Sequence, residues 1–216
     1  GELLWHSNES GQLVNNPGVF LLAMENVVGS STGFCITVNW YNAQTEAFRS
    51  ELDEMIMEHD FVPGRMNPGL NETQDSMMRT NFSPVPEDIP LVIHSPGGLR
   101  GLHFSPHTIC RVKGMPQAES DRLIDRIKFE LLQEPHIYDH WYQNTGDLLL
   151  FDNSITLHRR LGDIKDRLLL RSASSYANLI DHAYQPYFHP EYAERYKQRI
   201  MDIRDVMNVQ DSRPFL

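Results

Sequence analysis

The sequence is short of the features that mark several protein classes. Cysteine occurs only as Cys35 and Cys110, far apart and in no metal-ligating spacing, so a reducing interior fits better than a disulfide framework, although one bridge stays open. No apolar run is long enough to cross a bilayer, and no basic segment followed by an apolar stretch opens the chain. These absences predict a cytoplasmic protein with no membrane partner.

Positive charge is also scarce. The chain has 19 Lys and Arg against 29 Asp and Glu, a formal net charge of −10. A nucleic-acid footprint needs a broad basic face, so no nucleic-acid partner is expected, while local groups such as Arg159 and Arg160 can still bind a small anion. With 216 residues, 40% of them hydrophobic and 22% charged, the composition predicts one well-buried domain, 1–216.

Short apolar segments, several of them β-branched or aromatic, recur along the chain. The predicted strands cover residues 3–8, 19–24, 34–38, 91–94, 101–104, 136–142, 148–151 and 168–172. Helical spacing of apolar residues predicts helices at about 42–58, with Asn42 as the cap, and at 116–133 and 190–207. Many short strands with helices outside favour a β-sandwich or jelly roll over alternating βαβ units.

The stretch 62–90 has little periodicity and is rich in Pro, Gly, Asn and Met. A long irregular segment inside a compact domain is often a lid or a binding loop. A poorly ordered insertion is the alternative.

Two distant histidines and a pair of arginines form the skeleton of a metal site. His6 is followed two residues later by Asn8, and His158 precedes Arg167 and Arg171. Two imidazoles and a carboxylate on one face hold Fe(II) and leave three positions open, and residues i and i+2 of a strand share a face. Arginine suits the far carboxylate of a bound 2-oxoacid. Taken singly, however, such histidines are more often hydrogen-bonded core residues, and such arginines are more often surface charges.

The sequence around these residues is more specific than their spacing alone. The stretch 144–158, with Gly146-Asp147, an apolar strand and Phe151-Asp152-Asn153 before His158, is followed by Arg167-Leu168-Leu169-Leu170-Arg171. It resembles the closing motif of Fe(II)/2-oxoglutarate-dependent dioxygenases of the taurine dioxygenase type, the clavaminate synthase-like family. Leu4-Trp5-His6-Ser7-Asn8 resembles that family's first metal strand, which reads His-x-Asp.

The resemblance covers nearly the whole chain. The hairpin at Pro96 and the helix opened by Pro116 follow the family's order of elements, and the closing segment is the most specific part. Family members usually carry a further segment before the metal strand. Gly1 lies only five residues before His6, so this chain is expected to lack that segment.

The resemblance implies a mainly β fold with flanking helices, a double-stranded β-helix. It implies Fe(II) held by His6 and His158, with 2-oxoglutarate as cosubstrate. Molecular oxygen and a small molecule are the other reactants, and the nearby arginines indicate that the small molecule is anionic. Arg167 matches the arginine that binds 2-oxoglutarate, and Thr32 matches a threonine beside it, with Thr37 as a rival. Arg171 matches a substrate contact. Asp152 and Asn153 match structural positions or neighbours of the metal ligands.

Asn8 departs from the family pattern, and three explanations stay open. Asn8 or a water completes a working site. In the second explanation, the coordination position beside residue 8 is left vacant for another metal ligand, although asparagine is bulky for this role. In the third, the chain is a non-catalytic relative that acts as a binding module, or an engineered variant. Glu9 points to the opposite face of a regular strand and replaces the carboxylate only if the strand bulges. A metal isomerase or hydrolase of cupin type is a further alternative, and it would have no use for Arg167.

Overall fold

The structure is a computed structural model that describes residues 3–8, 11–14, 16–60, 71–73, 87–161, 166–174 and 184–211. Gly1, Glu9 and most of the predicted 62–90 loop lie outside the described residues.

The described part of the chain is mainly strand. The strands are β1 (Leu3–His6), β2 (Gly18–Glu25), β3 (Ser31–Ile36), β4 (Ile56–His59), β5 (Glu87–Pro90), β6 (Val92–His94), β7 (Arg100–Leu102), β8 (Ile109–Val112), β9 (Ile137–Trp141), β10 (Leu148–Asp152), β11 (Thr156–Leu161) and β12 (Leu168–Ser174). The helices are α1 (Thr37–Ala43), α2 (Glu46–Glu54), α3 (Gln117–Leu131) and α4 (Pro190–Asp211), and a short 3-10 turn covers Glu134–His136.

Two antiparallel sheets form the centre of the fold. One has the strand order β1-β11-β3-β9 and the other the order β10-β2-β12. The sheets face each other, because the rings of Phe34 on β3 and Phe151 on β10 pack edge to face with their centroids 4.9 Å apart. Neighbours within each sheet are distant in the chain, as expected for a jelly roll.

A second layer supports one end of this sandwich. It contains the sheet β5-β4-β8 and the hairpin β6-β7. Its apolar side chains pack with those of the first three helices in the largest buried cluster, which includes Trp40, Leu52, Met57, Phe104 and Leu131. This cluster fixes the second layer against the sheet β1-β11-β3-β9, because Cys35 of β3 and Leu157 of β11 belong to it.

Two element predictions are wrong. The strand expected at 34–38 ends at Ile36, because the Thr37 hydroxyl donates to the carbonyl of Ile155 at 2.7 Å and α1 begins at Thr37. The helix expected at 42–58 is broken into α1, α2 and the strand β4. Thr45, not Asn42, caps α2 by accepting a hydrogen bond from the backbone of Phe48.

The later elements are confirmed with small changes of boundary. Strands β6 and β7 pair as an antiparallel hairpin. The predicted helices 116–133 and 190–207 are α3 and α4, with Pro116 at the N-cap of α3. Strands 136–142, 148–151 and 168–172 correspond to β9, β10 and β12.

The outer face of the sheet β10-β2-β12 is apolar and exposed. Alternation along the strands turns one set of side chains away from the facing sheet, and its most exposed member, Leu150, is 65% accessible. The other exposed members are Met24, Leu148, Leu168 and Leu170. Nothing in the described part of the chain covers this face. Among the described residues, no helix has the length and apolar character needed to span a membrane.

Gly101 of β7 lies where the hairpin passes closest to the body of the protein. A Cβ atom at this position would come within 2.7 Å of Ile155 Cγ2 and of Thr37 Oγ1. Both side chains are buried, so we expect Gly101→Ala to lower the free energy of unfolding by about 1–3 kcal/mol, measured by urea denaturation. Gly97→Ala in the same hairpin is the control, because its Cβ would meet only Ser95 Oγ at 3.6 Å. An equal loss from both variants would contradict the close approach.

Candidate active site

The two predicted metal histidines lie side by side. His6 on β1 and His158 on β11 are direct partners in the antiparallel ladder. Directly opposed residues project to the same face of a sheet, and the two ring centroids are 4.2 Å apart. Both residues are buried, with 5% and 8% of their surface exposed. The pairing of the first and eleventh strands therefore brings together residues from opposite ends of the sequence.

The ring of His6 is oriented by its own strand. Its Nδ1 lies 2.7 Å from the carbonyl oxygen of Leu4, which can only accept, so Nδ1 carries the proton and Nε2 keeps its lone pair. Burial lowers the pKa of His6, His107 and Arg171 add to this effect, and hydrogen bonds to the backbone of Leu4 and His158 oppose it. The imidazole is therefore neutral near pH 7, the form that binds a metal.

His158 has the same electrostatic character. Burial holds its pKa well below the ordinary value, and the neighbouring His6 and Arg171 lower it further. Its Nδ1 is buried and has no hydrogen-bond partner among the described residues. A buried imidazole nitrogen without a partner is costly unless a ligand or a water occupies the space beside it.

Asn8 stands where β1 has ended, two residues after His6. Its backbone N–H donates to Oδ1 of Asn153 at 2.8 Å, and its carbonyl accepts from Nδ2 of Asn153 at 3.0 Å. The side-chain Nδ2 of Asn8 is buried and has no hydrogen-bond partner within the described ranges. Because the amide oxygen and nitrogen are assigned from hydrogen bonding, a flipped amide would present the oxygen there.

Arg167 and Thr32 meet through a tyrosine that the sequence analysis missed. The hydroxyls of Thr32 and Tyr142 are 3.0 Å apart, and Cζ of Arg167 lies 5.6 Å from the centroid of the Tyr142 ring. Arg167 Nη1 also donates to the carbonyl of Ser31 at 2.9 Å. Thr32 and Tyr142 are buried at 3% and 0% exposure. A guanidinium and two hydroxyls in one place make a donor set that suits a carboxylate.

The ionisation of this group follows from its burial. Desolvation lowers the pKa of Arg167, with Arg160 adding to the shift, yet a guanidinium stays charged. Desolvation raises the pKa of Tyr142, while Thr32 and Arg167 oppose it, so the phenol keeps its proton as a donor. The only sequence signal for Tyr142 was its place at the end of the aromatic strand 136–142.

Thr37 has a different role from Thr32. Its hydroxyl donates to Ile155 and accepts from the backbone N–H of Leu102 at 2.9 Å. These bonds tie α1 to the β6-β7 hairpin and to the turn before β11. Asp152 likewise serves that turn by accepting from the backbone of Ser154 at 2.9 Å.

Arg171 lies on β12, opposite Leu21 of β2. Its charge contributes to the lowered pKa of both candidate metal histidines, so the guanidinium lies within electrostatic range of both rings. Arg159, in contrast, is occupied elsewhere. It lies over the ring of Trp5 at 4.4 Å and faces Asp139 at 4.0 Å.

The comparison with protein families decides the identity of the chain. Residues 1–173 match the model of the taurine catabolism dioxygenase TauD, TfdA family. The chain belongs to this family.

Two curated relatives illustrate the similarity. The alpha-ketoglutarate-dependent 2,4-dichlorophenoxyacetate dioxygenase of Cupriavidus pinatubonensis is 33% identical over 178 residues, which are 80% of this chain and 59% of that protein. The (S)-phenoxypropionate/alpha-ketoglutarate-dioxygenase of Sphingobium herbicidovorans is 27% identical over 164 residues, 74% of this chain and 56% of that protein. The chain thus spans less than two thirds of these relatives.

Solved structures confirm the jelly-roll fold. AAD-2 in complex with Mn(II) and N-oxalylglycine superposes with a TM-score of 0.66 at 24% identity, over 80% of this chain and 68% of that one. A taurine dioxygenase from Burkholderia xenovorans gives 0.63 at 20% identity, over 79% of this chain and 56% of that one.

The TauD, TfdA family implies Fe(II) and 2-oxoglutarate, and the residues fit both in part. Two neutral buried imidazoles suit a divalent iron, and the Arg167, Tyr142 and Thr32 group suits a carboxylate. Position 8 supplies a neutral amide instead of a carboxylate. Accordingly, no group of three or more His, Cys, Asp or Glu able to hold a metal occurs in the part of the chain that the structure describes.

A second pair of histidines is buried apart from this site. The rings of His59 on β4 and His103 are 5.5 Å apart, and both residues are 2% exposed. Burial lowers the pKa of each, that of His103 to about 4. His59 Nδ1 bonds Thr108 Oγ1 at 3.0 Å, whereas both ring nitrogens of His103 lack a partner among the described residues.

The buried His103 makes stability depend on pH. Its pKa is about 4 when folded and about 6.5 when unfolded, so the unfolded chain binds the proton more tightly. The stability contribution is complete above pH 6.5 and is lost as the pH falls toward 4. We expect His103→Asn to reduce the slope of unfolding free energy against pH in this window by up to about 1.4 kcal/mol per pH unit.

Urea denaturation across that pH window measures the slope. Val112→Ala is the control, because it removes buried apolar contacts without a titratable group. It should shift the whole curve downward and keep its slope. An unchanged slope in His103→Asn would show that the folded protein takes up the proton at its ordinary pKa.

Proposed function

We propose that the chain carries the active site of an Fe(II)/2-oxoglutarate-dependent dioxygenase that hydroxylates a small anionic molecule with molecular oxygen. The observation that carries the proposal is the convergence of two neutral imidazoles, His6 and His158, in the same sheet that places Thr32 beside Arg167 and Tyr142. Family membership supports the same chemistry.

His6 and His158 are the protein's imidazole ligands in this proposal. The hydrogen bond from His6 Nδ1 to Leu4 favours the tautomer with the lone pair on Nε2, and the buried Nδ1 of His158 has no partner among the described residues. Asn8 is the third position, where the amide oxygen is a neutral and weaker ligand than a carboxylate. When bound, the iron supplies oxygen activation, with 2-oxoglutarate consumed to succinate and carbon dioxide.

Arg167 holds the far carboxylate of 2-oxoglutarate. Its guanidinium lies over the ring of Tyr142, whose hydroxyl is 3.0 Å from that of Thr32, which supports one bound carboxylate with several charge-assisted hydrogen bonds. Thr32 fits this role better than Thr37, because the Thr37 hydroxyl already bonds two backbone groups.

Arg171 binds the anionic end of the substrate. Its charge acts on both histidine rings, so a carboxylate paired with it would lie within electrostatic range of the metal position. Both substrates in the names of the two relatives, 2,4-dichlorophenoxyacetate and (S)-phenoxypropionate, are aryloxy carboxylates. An aryloxy carboxylate is therefore the first substrate to test.

We further propose that the jelly roll 1–216 acts as one domain and that 62–90 is a lid over its site. Neither Cys35 nor Cys110 forms a disulfide within the described residues, which supports a cytoplasmic location.

Metal-dependent binding of 2-oxoglutarate is the direct test. Anaerobic Fe(II) with 2-oxoglutarate should produce a weak visible metal-to-ligand band in the parent chain. His158→Ala should abolish the band because it removes one of the two imidazoles. The absence of any metal-dependent 2-oxoglutarate binding in the parent chain and in Asn8→Asp would rule out the proposal.

Asn8→Asp separates an enzyme from a binding module. A carboxylate at position 8 compensates one unit of metal charge, so we expect metal binding to tighten by about 10-fold or more. Turnover of 2-oxoglutarate in the parent chain, measured as succinate, supports the enzyme. Turnover that appears only in Asn8→Asp would mean that the natural chain is a non-catalytic binding module.

Arg167→Ala tests the carboxylate pocket. Loss of charged hydrogen bonds worth about 1.5–3 kcal/mol should weaken 2-oxoglutarate binding by roughly 10- to 150-fold. Thr32→Val should weaken it by a smaller factor. Thr37→Val is the matched control, expected to lower the melting temperature and leave 2-oxoglutarate affinity unchanged. Unaltered activity in Arg167→Ala would instead favour a metal isomerase or hydrolase.

A further inference from the structure

The side chain of Asn153 is the bridge between the two halves of the candidate metal site. It lies in the turn between β10 and β11 and is 0% exposed. Its Oδ1 accepts from the backbone N–H of Asn8 at 2.8 Å, and its Nδ2 donates to the carbonyls of Asn8 at 3.0 Å and Asn16 at 2.9 Å. All the bonds run to main chain, so they do not depend on which side chain occupies position 8.

These bonds replace a strand partner that residue 8 has lost. The β1-β11 ladder is irregular between Leu3 and His6, and β1 ends at His6. Asn8 therefore lies beyond the ladder, where its backbone N–H and C=O need other partners. A carboxamide offers one acceptor and two donors, which match the groups that Asn153 meets.

Asn153 also fixes both ends of the segment that follows Asn8. Its side chain bonds Asn8 and Asn16, and its own backbone N–H donates to the carbonyl of Pro17 at 2.6 Å. Five residues further along the chain, His158 enters β11 next to His6. The position of residue 8 relative to His158 is therefore set by the hydrogen bonds of the buried Asn153 side chain and by the short stretch of chain from Asn153 to His158.

We propose that Asn153 is a positioning residue that holds the backbone of residue 8 so that its side chain can reach the metal bound by His6 and His158. The inference rests on the proposed function, because it needs a metal at this site. Asn153 itself does not touch the metal; it acts through the backbone of residue 8. A purely structural role would affect folding stability, whereas a positioning role determines what a ligand at position 8 contributes to metal affinity.

A double-mutant cycle between positions 8 and 153 separates these roles. Fe(II) affinity is measured anaerobically by calorimetry for the parent chain, Asn8→Asp, Asn153→Ala and the double variant. With Asn153 present, we expect Asn8→Asp to tighten Fe(II) binding by about 10-fold or more. In the Asn153→Ala background, Asn8→Asp should tighten Fe(II) binding by less than about 3-fold. Residues that orient a metal ligand typically change metal affinity by about 10- to 100-fold, so their loss removes most of that ligand's benefit.

Thr37→Val is the matched control for stability. Thr37 is another buried side chain in contact with the same turn, but its hydroxyl bonds the main chain of Ile155 and Leu102 and not that of residue 8. It should lower the melting temperature and leave the gain from Asn8→Asp intact. If Asn153→Ala behaves in the same way, with a lower melting temperature and an unchanged gain, the positioning role is wrong.

Asn153→Asp provides a second variant should the alanine variant fail to fold. Aspartate keeps an acceptor for the Asn8 N–H and loses both donors, so the gain from Asn8→Asp should be intermediate. A full gain in that variant would overturn the proposal. Failure of the proposed function has a different signature, which is no Fe(II) binding by Asn8→Asp even with Asn153 in place, and it would remove the positioning role with it.

Discussion

The antiparallel pairing of β1 with β11 is the constraint on which the site depends. It places His6 opposite His158, although the two residues are 152 positions apart in the sequence. Every other feature of the site is arranged around this pair. The facing sheet contributes Arg171 and the ring of Phe151, which lies 5.0 Å from that of His158, and the turn before β11 contributes Asn153. A slip of one residue in this register would turn one imidazole to the other face of the sheet.

The charge of the site follows from position 8. With aspartate there, a divalent metal and its ligands would carry one positive charge, whereas Asn8 leaves two, and Arg171 adds a third nearby. Like charges at short range repel each other, so a metal bound here beside Arg171 would favour anionic occupants that offset the positive charge. A dianionic cosubstrate and a carboxylate substrate would meet that requirement together.

The sequence was most informative where the signal is local. The apolar run before Asp152, the helix opened by Pro116 and the Pro96 hairpin each carry their own pattern, and each lies where it was expected. The helix predicted at 42–58 failed because Met55 and Ile56 continue an apolar helical face, while Met57 is in fact paired with Ile89 and Val112 in a sheet. A strand that is stabilised by partners distant in the chain has little recognisable pattern in a short stretch of sequence.

The candidate site shows the same difference between features with a local sequence signal and features that depend on long-range contacts. His6, His158 and the two arginines were found through a motif, and the structure brings the histidines together. Tyr142 and the backbone role of Asn153 were not found, because their contacts join residues 110 and 145 positions apart in the chain. No rule of composition or spacing marks such a contact. Only the register of β3 with β9, and of β1 with β11, makes these neighbours visible.

The orientation of His6 does not depend on the identity of a neighbouring side chain. The acceptor that holds its ring is the main-chain carbonyl of residue 4, which every amino acid possesses. Mutation of Leu4 can change packing and solubility, but it cannot delete that oxygen. The imidazole therefore keeps its tautomer whichever side chains stand at positions 4 and 8. A carboxylate introduced at position 8 would meet a histidine whose ring is already oriented.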